Sequence, residues 1–403
     1  MLTGLQQNDA VNPSNQMDSE IRVTFEDGKE TWEIPAGANT KYLSHGYFRY
    51  IGQFPPQIAR AFVHRYGRHG QTLLDPMCGG GTALLEARIH GLSAIGFDIN
   101  PVAVMWSRVK ATHYDPLKLN PLVDDLMHRV RTATKDGLDH YLSKSTTRIR
   151  MRGIDLRGNE KFFDKQTLEK LGAVLALVNE VPMPFREFVL AGLLAIARKV
   201  SLANKKKMNV VLDNSSHKYE LTSSYAKQLT QMVKINEDLG KVIKSGTTLE
   251  VSQRDARSLD LDDGEIDVAM VHPPYPTNTA FSESLRLQLS ILGIDHRSLS
   301  QDEIQVRGSY FHKPDGVRRY LVDWHKVLSE MHRVLKRQGH CCVVIGDGRM
   351  DFVRIPMGAI TREFARDLGF SVDKFCRHIL VNNTGRTLDR RMTIDYVIIL
   401  RKD

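Results

Sequence analysis

Hydrophobic and polar positions divide the chain into two stretches of strand–helix alternation separated by a long helical one. Residues 21–34 alternate apolar and polar side chains about Asp27 and Gly28, which predicts a hairpin. In residues 41–66 aromatic side chains and histidine precede Phe54-Pro55-Pro56, and a helical period follows, with proline pre-set for a first helical turn. Residues 72–100 read TLLDPMCGGGTALLEARIHGLSAIGFDIN. They predict a short apolar strand, a glycine turn, a helix from Thr82 and a second strand stopping at Asp98. Pro101 opens another helix.

From about 116 to 240 the period is mainly helical, with Leu and Val on one face over 168–178 and 187–200. Alternation resumes after Gly246. It predicts a strand over 248–252 before Asp255, and an apolar strand over 266–271 running into His272-Pro273-Pro274-Tyr275. An irregular segment with short helices follows over 276–316, then a helix over 320–335, a strand over 340–345 and a helix over 360–368. Strands over 370–381 and 393–401, joined by a polar loop, read as a closing antiparallel hairpin. The expected organisation is a disordered polar arm over 1–19 and a hairpin with the first half of an α/β domain over 20–112. A mainly helical insertion over 113–245, a candidate for target recognition, and the second half of the domain over 246–403 complete it.

Charge changes this picture. Lys and Arg exceed Asp and Glu by nine and the sequence pI is near 9.3, which favours a polyanionic partner. Basic clusters stand at Arg148, Arg150, Arg152 and Arg157 and at Lys205, Lys206 and Lys207, each either a nucleic-acid surface or a solvated face. The longest apolar run, bracketed by Arg186 and Arg198, is about half of what a bilayer span needs, so a buried helix is expected and no membrane. No basic segment leads into an apolar core at the N-terminus, and the expected compartment is the cytoplasm. Four cysteines give no disulfide framework, and Cys376 with His378 reads as strand packing rather than a metal pair.

Two stretches carry chemistry. Gly79, Gly80 and Gly81 let the backbone turn sharply and approach a ligand, and Asp98 ends a strand where an acid can accept the hydroxyls of a ribose. A nucleotide-type cofactor is expected; the alternative is an ordinary βα turn. In VHPPYP, two prolines fix two backbone dihedrals and remove two N–H donors, leaving carbonyls as rigid acceptors beside the Tyr275 ring. That combination suits a planar group bearing an exocyclic amine, against a proline loop with a buried tyrosine as the plain alternative.

DPMCGGGT resembles the DPFxGSGT cofactor motif, GFDINP the acidic second motif and VHPPYP the (S/D/N)PPY catalytic motif of the DNA amino-methyltransferases. YIGQFPPQIA and RDAR are similar to two further segments of that family's cofactor pocket. The resemblance covers roughly 41–110 and 246–402 and leaves the helical insertion out. It implies a Rossmann-like methyltransferase fold with a seven-stranded, mostly parallel sheet. It also implies S-adenosyl-L-methionine as cofactor and methylation of cytosine N4 or adenine N6 in DNA, as in restriction–modification.

Carried over, the cofactor would meet Phe54, Pro55, Asp75, Pro76, Met77, Cys78, Gly79, Gly81, Thr82, Asp98, Ile99, Asp255 and Ala256. Asp75 would lie near its amino group, Asp98 on its ribose and Asp255 on its adenine amine. His272, Pro273, Pro274 and Tyr275 would hold the target base, with Arg307, His312, Lys313, Arg318 and Arg319 as phosphate contacts. Two positions depart from the pattern. Met77 replaces the usual Phe, and His272 replaces Ser, Asp or Asn; a neutral imidazole accepts one hydrogen bond, and protonation near the normal histidine pKa would abolish it. The flanking residues resemble the SPPY form, which favours cytosine N4. Rival readings are an RNA methyltransferase acting on guanine N2 and an inactive nucleic-acid-binding protein of the same fold.

Overall fold

The computed structural model describes residues 21–26, 29–35, 37–50, 52–135, 156–216, 219–276, 281–305, 314–350, 353–379 and 394–403. The arm expected over 1–19, and Arg148, Arg150, Arg152, Arg307, His312 and Lys313, lie outside these residues.

The N-terminal alternation forms the hairpin of β1 (Arg22–Glu26) and β2 (Lys29–Glu33). The main sheet is built outward from β3 (Thr72–Asp75), which pairs in parallel with β4 (Ser93–Asp98) on one side and β6 (Ile266–Val271) on the other. Beyond β4 lies parallel β5 (Leu249–Gln253), and beyond β6 lies parallel β7 (Leu335–Gly346). Two short strands, β8 (Gly348–Met350) and β9 (Val353–Ile355), make a separate hairpin. The closing pair, β10 (Phe370–Ile379) and β11 (Ile394–Lys402), is antiparallel, with β11 against β7. These seven strands, in the order β5-β4-β3-β6-β7-β11-β10, are the expected Rossmann-like sheet. The N-terminal hairpin extends it to nine by docking β2 in parallel on β10.

Leu73 and Leu74 of β3 and the run Val268–Val271 of β6 are apolar on both faces because helices cover both. Helix α1 (Pro56–Tyr66) begins with proline at its first position. Helix α2 (Thr82–Ile89) carries the chain from β3 to β4. Helix α3 (Pro101–Lys110) also starts at a proline, and the Asn100 side chain accepts from the Val102 N–H at 3.0 Å.

Helices α4 (Pro116–Lys135), α5 (Lys165–Glu180), α6 (Phe185–Val200) and α7 (Leu221–Val242) fill the stretch read as helical. Their core of Val174, Phe188, Leu194, Tyr225 and Leu229 is continuous with Phe48 and Trp106, so the bundle is welded to the flank of the sheet. The irregular segment carries α8 (Phe281–Ser284), α9 (Arg286–Ile291) and α10 (His296–Ser300). Helices α11 (Pro314–Val334) and α12 (Met357–Asp367) pack on the opposite face, where the Trp324 indole donates to Thr361 Oγ1 at 3.0 Å. Among the described residues no helix is long and apolar enough to cross a membrane.

Chain connections leave β3 toward β4 on one side and return to β6 on the other, which opens a crevice at the carboxyl ends of these strands. Gly81 locks the turn there. Its φ is +76°, and a Cβ would stand 2.7 Å from the Ser107 Cα of α3, a backbone atom that has no way to yield alone. Gly81→Ala should therefore lower the unfolding free energy by about 2–4 kcal/mol, since a strained left-handed residue and a backbone overlap each cost about 1–3 kcal/mol. Urea unfolding measures this. A change below about 0.5 kcal/mol, the range of neutral surface substitutions, would contradict it.

Candidate active site

The carboxyl ends of β3, β4 and β6 meet in a cleft that is partly open to solvent. Phe54, Asp75, Pro76, Met77, Cys78, Gly79, Thr82, Asp98, Ile99, Asp255 and Ala256 line it, together with His272 and Pro274. Pro55, Gly81, Pro273 and Tyr275 are sequence neighbours of lining residues and do not line it themselves. Arg318 and Arg319 are exposed on the first half of α11 and are not among the lining residues.

The glycine turn is pinned from three sides. Asp98 Oδ2 accepts from the Gly79 N–H at 2.9 Å and Oδ1 from the Asn100 N–H at 2.8 Å, so one carboxylate ties the end of β4 to the turn after β3. Ser107 Oγ donates to the Gly79 carbonyl at 2.8 Å. Above the turn lies Tyr50, whose Cε1 would be 2.9 Å from a Cβ on Gly79, where φ is +50°. The Phe281 ring stacks on Tyr50 at 6.4 Å and 11°.

The electrostatics of the cleft oppose those of the chain. Asp75, Asp98, Asp255, Asp302 and Glu303 line it against Arg254 and His272, in a protein of net charge +9. Burial, reinforced by Asp98, pushes Asp75 up to about 8, and burial pushes Asp98 up to about 6. Burial likewise raises Glu303, whose Oε1 accepts from the Ser282 N–H at 2.6 Å while its buried Oε2 has no partner. Burial would also raise Asp255, but hydrogen bonds from Arg257 at 2.6–3.1 Å outweigh it and hold the carboxyl below its ordinary range. A cation placed in this cleft would favour the ionised forms of Asp75 and Asp98 that burial disfavours.

At the end of β6 the two prolines do what their chemistry dictates. The Pro274 carbonyl accepts from Tyr320 Oη of α11 at 2.7 Å, which fixes the turn to the sheet's second layer. Among the described residues no hydrogen bond uses the Pro273 carbonyl, so it remains an open acceptor. His272 Nε2 lies 3.0 Å from Tyr275 Oη, the two rings meet edge-on at 5.3 Å, and Phe54 packs on the imidazole at 5.4 Å. Burial drives the His272 pKa down to about 4, against a backbone hydrogen bond with Gly52 that works the other way. That shift keeps the imidazole neutral at physiological pH, below which an unperturbed histidine would already take up a proton.

Sequence reasoning missed Tyr50, Phe281, Asp302 and Glu303, all of which line the cleft. For Tyr50 a signal existed in the aromatic run before Phe54. The others come from the irregular segment and carry no local mark.

The UPF0020 family model, described as an RMKL-like methyltransferase domain, matches residues 47–156. The type II methyltransferase M.MvaI of Kocuria varians is 23% identical over 382 residues, covering 81% of this chain and 81% of that protein. A tRNA (guanine(10)-N2)-dimethyltransferase of Methanothermobacter thermautotrophicus is 38% identical over 68 residues, 17% of this chain and 20% of that one. A solved SAM-dependent methyltransferase from Methanosarcina mazei aligns at a TM-score of 0.34 and 14% identity, covering 85% of this chain and 96% of the other. The chain is an S-adenosylmethionine-dependent methyltransferase. For such an enzyme the residues present fit the cofactor: the acidic cleft complements a molecule carrying both a sulfonium and an ammonium, and Asp98 ends β4 as a ribose acceptor requires.

Proposed function

We propose that this methyltransferase modifies an exocyclic amino group of a base in DNA, N4 of cytosine ahead of N6 of adenine, with the base turned out of the duplex into the cleft. The observation that carries the reading is the HPPY turn at the carboxyl end of β6, whose His272 and Pro274 line the same cleft as Asp98, Gly79 and Gly80. The likeness to a type II methyltransferase over four-fifths of the chain and the net charge of +9 support it.

Bound S-adenosylmethionine supplies an electrophilic methyl group. The protein's own residues do the rest. The Pro273 carbonyl and His272 Nε2 accept from the target amine, turning its lone pair out of conjugation with the ring. The Tyr275 hydroxyl gives way at Nε2 when the amine arrives. Tyr50, Phe281 and Phe54 exclude water from the reacting end. With its pKa near 4, His272 is an acceptor rather than a strong base, and the proton lost by the methylated amine leaves to solvent through the open side of the cleft.

Asp75 gives this reading a linked signal. It is protonated at pH 7 in the free protein, and an ammonium placed beside it favours the ionised form. Cofactor binding at pH 7 should release about one proton, and affinity should rise with pH toward 8. Calorimetry in buffers of different ionisation enthalpy reads the release, and Asp75→Asn should abolish it. A buffer-independent enthalpy in the parent protein would contradict the assignment.

Transfer of labelled methyl groups to duplex DNA, with RNA in parallel, tests the substrate. The RNA reading is second, motivated by the local likeness to a tRNA guanine-N2 enzyme. Label in RNA alone would select it.

A further inference from the structure

A second cleft, on the helical side of the molecule, has the opposite electrical character. It is lined by Arg49, Arg198, Lys199, Lys205, Trp106 and Tyr219 among others, and among the described residues no carboxylate lines it. None of the four cations is in an ion pair with a carboxylate of the described residues. Arg198 donates to the carbonyls of Asn204, Lys207, Met208 and Asn209, and Lys205 Nζ to those of Ser201 and Ala203, so both fold the 204–209 loop against the end of α6. Lys199 Nζ stands 4.7 Å above the Tyr219 ring. Among the described residues Arg49 donates to the Lys205 carbonyl alone, at 3.4 Å.

Two further facts point to an anion. Trp106 is 1% exposed, and among the described residues its indole Nε1–H, a donor with no acceptor character, has no partner. The cations also repel one another: burial and then Arg198 push Lys205 down to about 8 against the attraction of Asp213, and burial and then Arg49 lower Arg198. A surplus of positive charge, with Arg49 and Lys199 outside any carboxylate pair among the described residues, makes a site for a group that is all acceptor.

The cleft's position names the group. Arg49 precedes Tyr50, Ser284 and Leu285 follow Phe281 by one helical turn, and Trp106 meets the Tyr50 ring edge-on at 6.4 Å, so this basic cleft adjoins the Tyr50–Phe281 stack that lines the cofactor cleft. We infer that Arg49 and Lys199 bind a phosphate of the nucleic-acid strand that carries the target base, holding the backbone while the base enters the acidic cleft across the Tyr50–Phe281 wall. The inference rests on the nucleic-acid reading above and adds the surface that receives the strand. A phosphodiester matches in shape and charge what the acidic cleft repels, which divides the labour between the two clefts: one takes the cationic cofactor and the neutral base, the other the anionic backbone.

The test is the double variant Arg49→Gln/Lys199→Gln, which leaves the loop-folding Arg198 and Lys205 intact. The slope of log K against log salt for DNA binding should fall by about 1 and DNA affinity at low salt by about 10-fold, the effect of losing one or two phosphate contacts. Affinity for S-adenosylmethionine should stay within about twofold, a change under about 0.4 kcal/mol. If the parent protein binds RNA and not DNA, the same slope is read on RNA. If it binds neither, the nucleic-acid reading fails by itself, and the site is judged by inorganic pyrophosphate, which should raise the thermal midpoint of the parent and not of the variant. A variant that binds nucleic acid with the parent's affinity and salt slope overturns the inference while leaving the methyltransferase reading in place.

Discussion

Asp98→Ala should weaken S-adenosylmethionine binding by at least about 100-fold, or about 3 kcal/mol, while leaving the salt slope of DNA binding unchanged. The size follows from two losses. A carboxylate that accepts from ribose hydroxyls contributes about 1.5–3 kcal/mol as a charged partner. The same carboxylate holds the Gly79 N–H at 2.9 Å and the Asn100 N–H at 2.8 Å, so its removal also unpins the turn that shapes the cleft.

The pH dependence has a definite sign. Folding raises the Asp98 pKa from 3.8 to about 6, so the ionised form costs stability, and that cost grows as pH rises through this window. Cofactor binding needs the ionised form. Affinity should therefore fall as pH drops below about 6, and Asp98→Asn, which keeps one acceptor and no charge, should show a smaller loss without that pH step. Titration calorimetry with a thermal-denaturation control separates binding from folding. An Asp98→Ala protein that is folded and binds the cofactor within about threefold of the parent would remove Asp98 from the site.

His272→Ala should lower kcat by about 100- to 1,000-fold, the usual loss on removing one hydrogen-bond acceptor or donor aimed at a reacting group, with cofactor affinity within about twofold. The depressed pKa sharpens this. With the imidazole at about 4 rather than 6.5, kcat at saturating cofactor should be level from pH 8 down to about 5.5. A kinetic limb near 6.5 that disappears in the variant would show a solvated histidine and contradict the geometry. For stability the sign is the reverse of the Asp98 case: a histidine held neutral costs stability as pH falls from 6.5 toward 4, because the unfolded chain takes up the proton first. Acid unfolding of His272→Ala should accordingly begin at a lower pH than in the parent.

Much of the catalytic half was legible because its signals are local. Strand β3, the glycine turn, α2 and β4 occupy one continuous stretch, and Asp98 and the HPPY turn lie at strand ends that the apolar period marks. What stayed hidden depends on contacts distant in sequence. Glycine chemistry announces a tight turn at residues 79–81, but not that Gly80 faces the cleft while Gly81 is pressed on Ser107 of α3. A hairpin at residues 21–34 follows from alternation; its parallel docking on β10, more than 300 residues later, does not. Tyr50 and Phe281 become one wall only when a connecting segment and a short helix from distant parts of the chain meet. The shift of His272 to about 4 belongs to the same class, since burial is a tertiary property.

The same holds for charge. The sequence excess of basic residues favoured a polyanion, yet the cleft built from β3, β4 and β6 is acidic and the uncompensated cations gather on the helical side. Composition reports the sum, and only the fold separates the two terms.

The central claim is transfer of a methyl group to an exocyclic amine of a DNA base. Its most direct test is to incubate the purified protein with DNA and methyl-labelled S-adenosylmethionine, digest the product to nucleosides and identify the labelled species. The account predicts label in N4-methyldeoxycytidine. Label in N6-methyldeoxyadenosine would correct the base and keep the chemistry, whereas label on a ring carbon, in ribonucleosides alone, or in no nucleoside at all would contradict it.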